Sequence, residues 1–67
     1  MITVTFNDNE VDVSKNTSLQ VLILKLGANN LYSAIAINKA FVARSNYENT
    51  LLYHGDIIQQ VTPMQGG

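Results

Sequence analysis

Cysteine is absent from the 67 residues, so neither a disulfide framework nor a cysteine-rich zinc site can hold this chain together. Histidine occurs once, at His54. Charge is scarce, at 13% of residues with a formal net of −1, and the four basic residues, Lys15, Lys25, Lys39 and Arg44, are scattered. Nucleic-acid binding needs a basic face that neutralises several phosphates; without one, no nucleic-acid partner is expected. No segment approaches the ~20 apolar residues that span a bilayer. The opening stretch from Met1 to Phe6 lacks the charged region and long apolar run of a signal peptide. These absences lead to the expectation of a soluble, cytoplasmic chain with no membrane partner.

What remains is apolar. Hydrophobic residues make up 46% of the chain, enough for one small domain held by burial alone. A chain this short buries only about 60% of its unfolded surface, which leaves little for a roomy active-site cavity. Ile2, Val4 and Phe6 alternate with Thr3 and Thr5, the period of a half-buried strand. Asn7-Asp8-Asn9 is turn chemistry, and Glu10 to Val13 alternates again, so the first stretch reads as a β-hairpin. The period then changes. Thr17-Ser18-Leu19-Gln20 fits a capping box with Thr17 as N-cap. Leu19, Leu22, Ile23 and Leu26 follow at helical spacing, and Gly27 is a natural stop. Val21 and Leu24 are apolar too, which predicts either a broadly buried helix or one with a partner contact.

Leu31 to Ile37 reads as a third strand, and Phe41 to Arg44, after an Asn38-Lys39 turn, as a fourth. Residues 45–54 read as irregular, with Tyr47, Leu51 and Leu52 fastening them to the core. Gly55-Asp56 is a turn, and Ile57 to Thr62 is a last strand whose mixed pattern suits the inside of a sheet or cover on both faces. The order β-β-α-β-β-β puts one helix on one face of a sheet, with the last strand parallel to the first. The expected fold is therefore α+β, a ubiquitin-like β-grasp: a mixed sheet of four to five strands with one main helix packed on one face. Residues 1–62 form the expected domain, and residues 63–67 a flexible tail ending in Gly-Gly.

Chemistry is hard to find within that domain. There is no cysteine nucleophile and no glycine loop of the phosphate-cradling kind. His54 stands alone, and its neighbour Asp56 is explained by the turn. Asp8, Glu10 and Asp12 alternate as side chains leaving a strand do; the glycine and distal glutamate of a calcium-binding EF-hand loop are missing. The tail is different. Glycine lacks a Cβ, so its backbone can approach another surface closely. Pro63 to Gly67 spans roughly 17 Å when extended. Such an end is either frayed or enters a narrow channel of a partner and presents the Gly67 carboxylate. A carboxylate is a poor electrophile, so reaction there requires activation, for instance as an acyl-adenylate. Without a nucleotide site in this chain, the ATP chemistry falls to the partner.

Several stretches resemble one family. The segment from Ala36 to Arg44, Ala-Ile-Asn-Lys-Ala-Phe-Val-Ala-Arg, resembles the Ala-x-Asn…Val-Pro-Arg segment of the ThiS family, the ubiquitin-like sulfur carriers of thiamine biosynthesis. Gly55-Asp56 before the last strand and the terminal Gly66-Gly67 complete the resemblance, which covers essentially the whole chain. Ala43 stands where the family often has proline, and Gln60 where it is often apolar. The resemblance implies a carrier rather than an enzyme, with no bound cofactor. A ubiquitin-activating-like adenylyltransferase uses ATP to adenylate Gly67. Sulfur drawn from cysteine through a desulfurase converts the adenylate to a thiocarboxylate, and thiazole synthase takes that sulfur. Gly66, Gln65 and Met64 lie in the partner's channel in this reading, and Gly67 carries the sulfur. If Gly67 is the native end, no protease is needed to expose the diglycine. Partner docking is expected on the exposed side of the last strands, around Phe41, Ile57 and Val61. The same fold and tail also suit the small subunit of molybdopterin synthase, or a ubiquitin-like modifier or interaction module.

Overall fold

In the computed structural model, which describes residues 1–27 and 33–61, the chain opens with a hairpin, β1 (Ile2–Phe6) and β2 (Asn9–Val13). The loop is only Asn7-Asp8, with φ of 48° and 71°. Two successive left-handed residues make the type I′ pattern, whose twist matches that of the strands it joins. Asn9 therefore belongs to β2, opposite Phe6, and not to the turn where its composition had placed it. The second hairpin repeats the device. β3 (Ala34–Ile37) and β4 (Ala40–Val42) are joined by Asn38-Lys39, with φ of 52° and 72°. Of the expected third strand, Leu31 and Tyr32 lie outside the described residues. The expected fourth strand stops at Val42, and Arg44–Asn49 forms a 3-10 helix in a stretch read as irregular.

The helix α1 spans Leu19–Leu26. Its N-cap is Ser18, whose Oγ accepts from the Val21 amide at 3.3 Å, and not Thr17. The reason lies in backbone pairing. The Leu52 amide donates to the Thr17 carbonyl at 2.9 Å, and the Leu19 amide to the Thr50 carbonyl at 2.7 Å. Thr17 is held against residues 50–52, and its hydroxyl donates instead to the Ser14 carbonyl at 2.7 Å. With Ser18 as cap, Val21 occupies the third helical position, so Gln20 cannot close a capping box. Gly27 ends the helix at φ 68°, as its composition suggested.

β5 (Ile57–Val61) completes a five-stranded sheet of order β2-β1-β5-β3-β4. It runs parallel to β1 and antiparallel to β3. As expected it lies inside the sheet, but only one of its faces is covered. On that face Val4, Phe6, Val13, Ile35 and Ile58 meet Leu19, Leu22 and Ile23 of α1, with Tyr47 and Leu52 closing the side. One sheet face can cover only one stripe of a helix. Val21 and Leu24 consequently stay 53% and 57% exposed, so α1 is not buried all round. Leu51, expected to fasten its loop to the core, is also exposed, while its neighbour Leu52 is buried.

Candidate functional site: the open sheet face

The face of the sheet turned away from α1 has no helix over it among the described residues. Its occupants follow from strand register, because directly paired residues share a face. Val4, Phe6 and Ile58 point to the core, so Thr5 and its partner Ile57 point out. Ala36 pairs with both Phe41 and Gln59, and Ala34 with Val61. Phe41, Ile57 and Val61 thus share one face, at 71%, 52% and 49% exposure. Ala36 lies between Phe41 and Gln59 and is buried by them. The structure puts these three residues, named from sequence as docking candidates, on one face of the sheet. The tail residues Met64, Gln65, Gly66 and Gly67 lie outside the described residues, as does the domain's expected last residue, Thr62.

The opposite end of this face is a tightly bonded corner. Tyr53 to Asp56 forms a turn in which the Asp56 amide donates to the Tyr53 carbonyl at 3.1 Å. Gly55 takes φ 88°, the left-handed third position that favours glycine. The Asp56 carboxylate accepts from the Tyr53 amide at 2.8 Å through Oδ2 and from Asn38 Nδ2 at 3.2 Å through Oδ1. Asn38 Oδ1 in turn accepts from the Ile57 amide at 3.0 Å. Two stretches far apart in sequence, Asn38 and Gly55-Asp56, are therefore one structural joint that starts β5. His54 belongs to the same corner: its Nδ1 accepts from the Thr3 amide at 3.1 Å. That bond gives His54 a structural part.

Arg44 also serves the fold. It lies 5.8 Å over the centre of the Tyr47 ring and donates to the Ser33 carbonyl at 3.3 Å. Beside it, Gln60 Nε2 donates to Ser33 Oγ at 3.0 Å. Gln60 stands on the covered side, paired with Ile35; these polar partners explain how a glutamine is accommodated at a place suited to an apolar residue. Among the described residues there is no pocket and no group of three acidic or histidine side chains positioned for a metal. No helix among them is long and apolar enough to cross a membrane.

A mixed sheet of this order around a single helix is a ubiquitin-like β-grasp fold. The ThiS family model matches residues 2–67, and the chain belongs to the ThiS family. The crystal structure of the thiamine biosynthesis protein (ThiS) from Geobacter metallireducens superposes with a TM-score of 0.84. That match covers 98% of this chain and all of the other, at 20% sequence identity. No curated protein matches this sequence.

Proposed function

We propose that this chain is a sulfur carrier of thiamine biosynthesis, a co-substrate of partner enzymes and not itself an enzyme. Membership of the ThiS family over residues 2–67, which takes in the terminal Gly66-Gly67, is the observation that carries this reading.

The steps follow from the carboxylate of Gly67. One of its oxygens attacks the α-phosphorus of ATP held by an adenylyltransferase, and pyrophosphate leaves. The terminal sulfur of a persulfide formed by a desulfurase attacks the activated carbonyl carbon and AMP leaves; a thiol then reduces the resulting acyl disulfide, which frees the thiocarboxylate and leaves a disulfide on the sulfur-delivering side. Thiazole synthase then takes that sulfur. Gly66, without a side chain, lets the backbone pass a narrow channel, and Gln65 and Met64 line the same passage. Phe41, Ile57 and Val61 form the docking face, since a short tail alone gives a partner little to distinguish.

The test is an intact mass after incubation with the adenylyltransferase, ATP and a sulfur source. The expected product is heavier by the difference between a sulfur and an oxygen atom. No mass change with an enzyme that activates a known carrier overturns the proposal. Deleting Gly67 abolishes the modification and leaves thermal unfolding unchanged. Val61→Asp leaves the fold in place and slows adenylation. Thiazole formation on addition of thiazole synthase separates this pathway from molybdopterin synthesis.

A further inference from the structure

The open face carries charge in one direction. At its β2 edge, Glu10 and Asp12 stand on this face, opposite Thr5 and Thr3 in the ladder. Asp8 occupies the turn beside them, and residues 2–14 contain no lysine or arginine. Thr3 Oγ1 donates to Asp12 Oδ1 at 2.7 Å, which keeps that carboxylate on the face, and Glu10 is exposed. On the far side of the sheet the β3–β4 turn carries Lys39, exposed. Between the two edges lie Ile57 and Val61 of β5, and Phe41 stands on the edge strand β4. The face thus runs from acidic through apolar to a corner where Lys39 is exposed, while the half-buried Asp56 carboxylate beside it is taken up by Asn38 and the Tyr53 amide.

An apolar centre alone does not orient a partner, because burial is non-directional. Orientation matters for a carrier of this kind. The six residues after Val61 reach at most ~20 Å when extended, so a partner turned half round on the face moves its reactive centre away from Gly67. Opposite charges at two edges remove that freedom. In the wrong orientation both edges meet like charge, and repulsion discriminates more strongly than a missing contact. Lys39 adds its own mark: it stands at φ 72°, a backbone conformation that glycine takes without strain, in a turn whose other residue, Asn38, is already used by the joint to β5.

We propose that Glu10 and Asp12 on one edge, with Lys39 on the other, set the orientation of the adenylating partner on the open face. The matching surface of that enzyme has an apolar centre, a basic side over β2 and an acidic side over the β3–β4 turn. This rests on the carrier reading above. The experiment uses the full chain with a ubiquitin-activating-type adenylyltransferase purified from the same source, and reads ATP–pyrophosphate exchange at low and high salt. Glu10→Lys and Lys39→Glu each raise KM for the chain roughly tenfold at low salt. The double reversal is worse than either, and all three effects shrink at high salt. The thermal unfolding curve stays unchanged, because neither residue belongs to the core. Variants with wild-type KM at low salt, or with a KM effect that salt does not alter, overturn the orientation proposal alone. A wild-type chain that supports no exchange overturns it together with the carrier reading. Sedimentation showing a dimer that Phe41→Ala dissociates also overturns it, since a second copy then occupies the face.

Discussion

Ile57 and Ile58 are the same residue type, side by side in one strand, paired with Thr5 and Phe6 of β1. Ile58 is completely buried, while Ile57 is 52% exposed. The difference is one step of the pleat, which sends successive side chains to opposite faces. On the covered face every large residue has α1 or another core side chain against it. On the open face Ile57, Val61 and Phe41 have only their sheet neighbours. The covered face is apolar along most of its length, whereas the open face sets Ile57, Val61 and Phe41 among Thr3, Thr5, Glu10, Asp12 and Gln59. One holds the domain together, and the other has no helix over it among the described residues.

This contrast can be broken by substitution. The largest effect is expected from Ile58→Ala, which leaves a cavity beneath α1 and lowers stability by about 2–5 kcal/mol. Ile57→Ala, on the other face, costs under about 1 kcal/mol, because its side chain is half in water already. Urea unfolding of the two variants measures both; equal losses would mean that the open face is also core. Next is Ser18→Ala, which removes the helix N-cap on the covered side and costs about 1 kcal/mol. Its counterpart Thr17→Ala spares the cap, and far-ultraviolet circular dichroism during unfolding separates the two. The smallest effect runs the other way. Lys39→Gly relieves a left-handed lysine but adds backbone freedom to the unfolded chain, for a net gain of roughly 0.5 kcal/mol in unfolding free energy. If orientation depends on Lys39, the same variant is more stable yet needs more chain to saturate the adenylating enzyme.

Much of the fold was legible in local pattern. Alternation of Ile2, Val4 and Phe6 marked β1, and the spacing of Leu19, Leu22 and Ile23 marked α1, because both periods are set by backbone geometry. Gly27 as helix stop followed from its lack of a Cβ. The failures share a cause. The cap passed from Thr17 to Ser18 because residues 17–19 pair with residues 50–52, a contact no local window contains. The 3-10 helix at Arg44–Asn49 has no strong periodic signal, and Tyr47 was legible there only as an apolar anchor. The docking candidates were legible as apolar residues in strands, but nothing in Phe41, Ile57 and Val61 taken singly separates them from Ile35 or Ile58.

By itself, then, the sequence determined the order of the strands and of the main helix and their local periods. It also excluded disulfides and a cysteine-rich zinc site, since those depend only on which residues are present. It placed two glycines at its end, where family membership turns them into the proposed site of chemistry. Tertiary structure alone decided which apolar residues became core. With one α-helix among the described residues, the sheet is covered on one side there, and strand register chose the side. The same register set Glu10 and Asp12 beside the uncovered apolar strip, far from Lys39, by pairing β2 with β1 and placing β4 at the opposite edge.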